Sequence, residues 1–219
     1  MAAKLQATVD ENWIEQPRQS PPAAPMIHPR VTRFAQNVSH VISPPVVGGL
    51  LAWSVARATT PTSRDALHWV MPYWFMLCIA PVAFIGLLMA RGKITDIHVG
   101  LREQRTQPML IALLCTLTAW LLFHVWQAPE LMQRLVLLNL VQMAILAVVT
   151  LIWQISFHGA AVGAAVTVGY SLFGPVAALA VAPAALAGWS RVYLRRHTLG
   201  QVIAGAMVGV GVAMLVMAS

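Results

Sequence analysis

Charged side chains are scarce in this chain: Asp, Glu, Lys and Arg make up 10% of its 219 residues, against ~25% in an ordinary soluble domain. That leaves too little polar surface to cover a water-soluble body of this length, so the bilayer is the expected solvent. Carboxylates are the rarest, with seven Asp and Glu in all, and they form no cluster rich enough to hold a metal; neither a metal nor a cofactor is expected. Only two cysteines occur, Cys78 and Cys115. Both lie inside apolar runs and read as small buried hydrophobes, not as a disulfide framework. The first 30 residues lack an apolar segment and carry Asp10, Glu11, Glu15 and five prolines. A cleavable signal peptide is therefore not expected, and the first hydrophobic helix would act as the insertion signal. No long internal repeat stands out.

What the chain does have is long apolar stretches, 58% of residues being hydrophobic. Runs near 40–57, 67–90, 108–126, 131–154, 158–173, 175–190 and 199–218 are each about the length that crosses a ~30 Å hydrocarbon core as a helix. The expected fold is an all-α, polytopic membrane bundle of six to seven transmembrane helices spanning residues 38–219. Residues 1–37, polar and proline-rich, read as an extramembrane arm without helical periodicity. Gly159 and Gly163, and again Gly205 and Gly209, are spaced for close backbone approach, which puts the hairpin from Gly159 to Gly188 at the centre of the bundle. The net charge of +7 sits in short gaps between apolar runs and not in a stripe. It therefore speaks for topology signals or anionic headgroups, not for nucleic acid.

The polar residues fall into three clusters that follow the second, fourth and sixth apolar runs, so all three return to one membrane face. The first offers Lys93, Arg102 and Arg105, the second Ser156 and His158, the third Arg191 and His197. Guanidinium and ammonium groups gathered at one face ask for a multiply charged anion, and phosphate suits the planar fork of arginine. Two histidines beside it supply a nucleophile and a proton donor. Ser156 stands where it would cap the helix that follows, aiming free backbone N–H groups of the first turn at an anion. His197 and Gln201, four residues apart, share a helix face. A side-chain oxygen at 201 would accept from His197 Nδ1–H and leave Nε2 as the attacking nitrogen.

The third cluster, Ser190-Arg191-Val192-Tyr193-Leu194-Arg195-Arg196-His197-Thr198-Leu199-Gly200-Gln201, resembles the S-R-x5-H-x3-D signature of the type 2 phosphatidic acid phosphatase superfamily. The second, Ser156-Phe157-His158, is similar to the family's P-S-G-H motif, with Ile155 and Phe157 in place of Pro and Gly. The resemblance covers roughly residues 91–205. It implies His197 as the nucleophile of a phosphohistidine intermediate and His158 as the acid for the leaving alcohol. It also implies Arg191 and Ser156 as phosphate ligands. Two departures stand out: Gln201 replaces the family's Asp, and the first motif, K-x6-R-P, is not reproduced. Gly100 lies seven residues after Lys93, and Arg105 is followed by Thr106. His98, seven before Arg105, permits a variant alignment.

The expected function is hydrolysis of a lipid phosphate or diphosphate of phosphatidate, polyprenyl or isoprenyl type. The substrate would enter from the bilayer, and the oligomeric state is open. The alternatives are a catalytically weak protein that binds or translocates lipid phosphates, and a haem- or quinone-binding membrane subunit. His28, His40, His68 and His124 read as interfacial or packing residues. Eleven of the fourteen Lys and Arg fall on the motif face, against Arg57, Arg64 and Arg134 on the other, which points that face to the cytoplasm of a plasma or inner membrane.

Overall fold

In a computed structural model, residues 28–93 and 106–218 can be described. They form helices with no strand among them. Helices α1 (Pro29–Val41) and α2 (Pro44–Thr59) meet at a bend of 42°. Both begin on a proline, which lacks the N–H that a first turn would leave unbonded anyway. Residues 29–37, read from sequence as lacking helical periodicity, are helical. Ala35, Val38 and Ser39 form the inner face of α1, an i, i+3, i+4 pattern that the neighbouring prolines obscured.

Helices α3 (Ser63–Trp74) and α4 (Ala80–Ala90) make one crossing through a π-helical turn, Phe75–Ile79. Thr62 caps its start, accepting from the Asp65 N–H at 3.2 Å. The π turn has a cause in sequence. Pro81 has no N–H to offer one turn back, and just ahead of it the chain widens so that Ala80 N–H reaches the Phe75 carbonyl, five residues back. Helices α5 (Thr106–Val125) and α6 (Glu130–Ile152) form a hairpin whose turn holds Gln127 at φ 53°.

Helix α7 (Phe157–Phe173) runs into a 3-10 segment (Gly174–Ala180) and then α8 (Val181–Tyr193), with α9 (Leu199–Ala218) closing the chain. By length and apolarity alone Phe157–Tyr193 passes as one crossing, but it doubles back at Gly174, where φ is 64°. His158 and Arg191 near its two ends line the same chamber, whereas a straight helix would set them ~50 Å apart. Among the described residues, five segments qualify as crossings. Counting this one twice gives six, and the bent α1–α2 pair makes seven. Large apolar side chains cover the outside, among them Ile152, Leu179 and Leu215 at 80%, 78% and 71% exposure, as hydrocarbon and not water requires. Tyr73, Phe123, Met132, Leu135 and Leu138 fill the core.

The tightest packing is between α7 and α9. A Cβ built on Gly159 would lie 2.5 Å from the Val202 carbonyl oxygen, and one on Gly163 the same distance from that of Ala206. From the other side, Gly205 and Gly209 press on the carbonyls of Ser156 and Ala160. The two spaced pairs thus face each other, backbone on backbone. Both helices start at the same end of the bundle, which sets the first turns of α7 and α9 side by side. The two cysteines are free thiols.

Candidate functional site

Helix α8 ends in a way that explains the spacing between Arg191 and His197. Arg195 adopts φ 53°, the left-handed conformation that closes helices. Its N–H bonds the Val192 carbonyl at 2.9 Å, and the Arg196 N–H bonds the Arg191 carbonyl at 3.0 Å. These are the two bonds of a Schellman cap. The His197 N–H shares the Arg191 carbonyl at 3.2 Å, so the peptide of the arginine holds that of the histidine. Arg191 is 4% exposed and sits in the last turn of α8, where the helix dipole favours a cation.

Helix α9 opens on a capping box. The Gln201 N–H donates to Thr198 Oγ1 at 3.3 Å, and the Thr198 N–H donates to Gln201 Oε1 at 3.1 Å. The same Oε1 lies 3.2 Å from His197 Nδ1. A backbone N–H can only donate, so the carboxamide oxygen must face Thr198, and it therefore faces Nδ1 as well. Nδ1 then carries a proton, and in the neutral ring Nε2 carries the lone pair. The sequence anticipated the His197–Gln201 pair. The structural duty of Gln201 was equally legible in Thr198-Leu199-Gly200-Gln201, which is the S/T-x-x-Q box.

Ser156 caps α7, its Oγ accepting from the Gly159 N–H at 3.2 Å, as its position suggested. Its own N–H donates to the Gln201 carbonyl at 3.2 Å, which ties the second cluster to the third. Ser156 is fully buried and is not in the wall of the chamber, while His158, two residues on, is.

His158, Arg191 and His197 line one chamber of about 400 Å³. Two residues of α1 join them. His158 Nε2 lies 3.2 Å from the Ser39 carbonyl oxygen, and Arg191 Nη1 donates to Ser39 Oγ at 2.8 Å. His40, read from sequence as an interfacial or packing residue, stands in the chamber wall. Neither residue carried a catalytic motif: Ser39 lies just past the segment read as an arm, and His40 opens the first apolar run. Of the first cluster, Lys93 is exposed at the end of α4 and is not a wall residue. Arg102, Arg105 and His98 lie outside the described residues. Ile85, Pro108 and Met109, from the two helices that flank that segment, do line the chamber. His68 packs edge-on against Trp69, and His124 stacks on Trp120, as packing residues do.

A guanidinium and two imidazoles gathered on one chamber make an arrangement that can bind an oxyanion and exchange a proton with it. The fold and the site define a helical membrane bundle with a basic, histidine-bearing chamber near one end. No family model matches the chain, and neither a curated protein nor a solved structure matches it.

Proposed function

We propose that this chain is a membrane-embedded phosphatase that hydrolyses a lipid phosphate or diphosphate through a phosphohistidine. The observation that carries the reading is the His197–Gln201 contact, whose oxygen fixes the nucleophilic tautomer beside the buried Arg191. Arg191 holds phosphoryl oxygens and stabilises the charge that builds in the transition state. The Nε2 lone pair of His197 attacks phosphorus as the P–O bond to the lipid alcohol breaks. His158 gives its proton to the leaving oxygen. A water then attacks the phosphohistidine, His158 takes the water's proton, the P–N bond breaks, and inorganic phosphate leaves. The apolar walls from Pro44, Pro45, Pro81 and Val82 suit the lipid portion. The excess of Lys and Arg on this face supports a cytoplasmic orientation in a plasma or inner membrane.

The test is release of inorganic phosphate from phosphatidate, monoacylglycerol phosphate, polyprenyl phosphate and isoprenyl diphosphate by protein purified in detergent, with chelator present. Turnover of at least one lipid that falls ~10³-fold or more in His197→Ala is expected. Activity lost to chelator and restored by magnesium would contradict the scheme. A second reading, a weakly active binder or translocator of lipid phosphates, is favoured by the full engagement of Gln201 and Ser156 in helix capping. It predicts lipid retention without phosphate release.

A further inference from the structure

Helix α1 precedes all three polar clusters in the chain, yet one of its residues meets two of the side chains that line the chamber. The inner face of α1 is small and apolar at Ala35 and Val38, but its third member is Ser39, which is 1% exposed. Alanine would serve the packing of such a face as well, and a buried hydroxyl costs free energy unless it is hydrogen-bonded. Here the hydroxyl oxygen accepts from Arg191 Nη1 at 2.8 Å, across 152 positions of sequence. The carbonyl oxygen of the same residue lies 3.2 Å from His158 Nε2, across 119 positions. A carbonyl can only accept, so that nitrogen carries a proton.

Ser39 thus ties a side chain of α8 to one of α7 through a single residue of α1. Further back on α1, Phe34 packs against Trp189 of α8 with ring centroids 6.1 Å apart, so α1 is set along the helix that carries Arg191. Ser39 is not in the chamber wall, whereas Arg191 and His158 are. It therefore acts through them and does not touch what the chamber binds. A long arginine side chain gives up much rotamer freedom when its planar fork is fixed. A guanidinium that meets a phosphate gains from being held before the phosphate arrives.

We propose that Ser39 is a positioning residue of this site, an assignment that rests on the phosphatase reading above. Its hydroxyl sets the Arg191 fork for the phosphoryl group, and its carbonyl holds the His158 ring from the same point of α1. The rival role for the hydroxyl is structural, the satisfaction of a buried cation. In that case its loss lowers the stability of the fold but leaves the phosphate affinity of each folded molecule as it was.

The experiment compares Ser39→Thr with Ser39→Val in the full chain. The two new side chains have the same shape, and only Thr keeps the hydroxyl. Both leave the main-chain carbonyl, and so the His158 contact, in place. Release from the lipid of the panel above that wild type uses best is measured in detergent against rising inorganic phosphate. The inhibition constant of phosphate does not depend on how much of a preparation is folded, so a structural role leaves it unmoved. Ser39→Val is expected to weaken that inhibition by ~10-fold, the loss of one hydrogen bond to a charged group, and to lower kcat/KM by a similar factor. Ser39→Thr should stay close to wild type in both. If Ser39→Val does not fold, Ser39→Ala adds no bulk and gives the same comparison against wild type. Equal inhibition constants with and without the hydroxyl overturn the proposal, as does wild-type release that inorganic phosphate does not inhibit. Either result leaves lipid phosphate release, and so the phosphatase reading, standing. Release from no lipid of the panel by wild type overturns both.

Discussion

The two sides of the bundle are built on opposite principles. Along α7 and α9 the backbones touch, four glycines leave no room for a side chain, and a Schellman cap, a capping box and the main-chain hydrogen bond from Ser156 to Gln201 lock the first turns together. Across the chamber, α2 and the α3–α4 crossing carry Pro44, Pro45, Pro72 and Pro81, a π turn and two cavities. The first side ties the segments that carry His158, Arg191 and His197 to one another through main-chain hydrogen bonds. The second leaves space and a bent, widened wall. On the proposed phosphatase reading, the nucleophile is held where backbones touch, and the lipid enters where helix regularity is given up.

That contrast can be broken most severely at the seam. Gly163→Leu has no space against the Ala206 carbonyl, and we expect it to prevent accumulation of folded protein. Gly163→Ala should cost ~2 kcal/mol or more, as overpacking does. Gly86 in α4 has nothing within 4 Å of a built Cβ. Gly86→Ala should therefore stabilise by ~0.5–1 kcal/mol, the ordinary gain of alanine over glycine in a helix. Thermal unfolding in detergent measures both, and equal effects at the two sites would erase the distinction.

At the head of α9 the expected effect is smaller and chemical. Gln201→Leu removes both the oxygen that orients His197 and half of the capping box. Turnover should slow at least ~10-fold, or ~1.4 kcal/mol in the barrier. Gln201→Glu keeps the box, since Glu serves at that position, and adds negative charge beside Nδ1, so phosphoenzyme formation should be equal or faster. If the Leu variant folds and keeps full rate, position 201 is a helix cap and nothing more. The smallest effect is at Arg195, whose left-handed backbone disfavours any side chain. Arg195→Gly should raise stability by up to ~1 kcal/mol without changing turnover, while a loss of activity would show that its side chain takes part.

The helices were legible in sequence because each carries an apolar run of crossing length, and the glycine spacing announced the α7–α9 contact. The third cluster was legible too, since Arg191, His197 and Gln201 are fixed by local caps that are written into twelve consecutive residues. The start of α1 was not, because prolines that begin helices look the same in sequence as prolines that break them. Ser39 was hidden for a different reason. It matters only through residues far along the chain, His158 and Arg191. No local spacing reveals such a meeting.

The central claim is that His197 becomes phosphorylated. Brief incubation of purified protein with monoacylglycerol phosphate radiolabelled in its phosphate, followed by denaturing quench and peptide mapping, tests it directly. The account predicts an acid-labile, base-stable label on His197 that is absent from His197→Ala. A label on another residue, or phosphate release undiminished in His197→Ala, would contradict it.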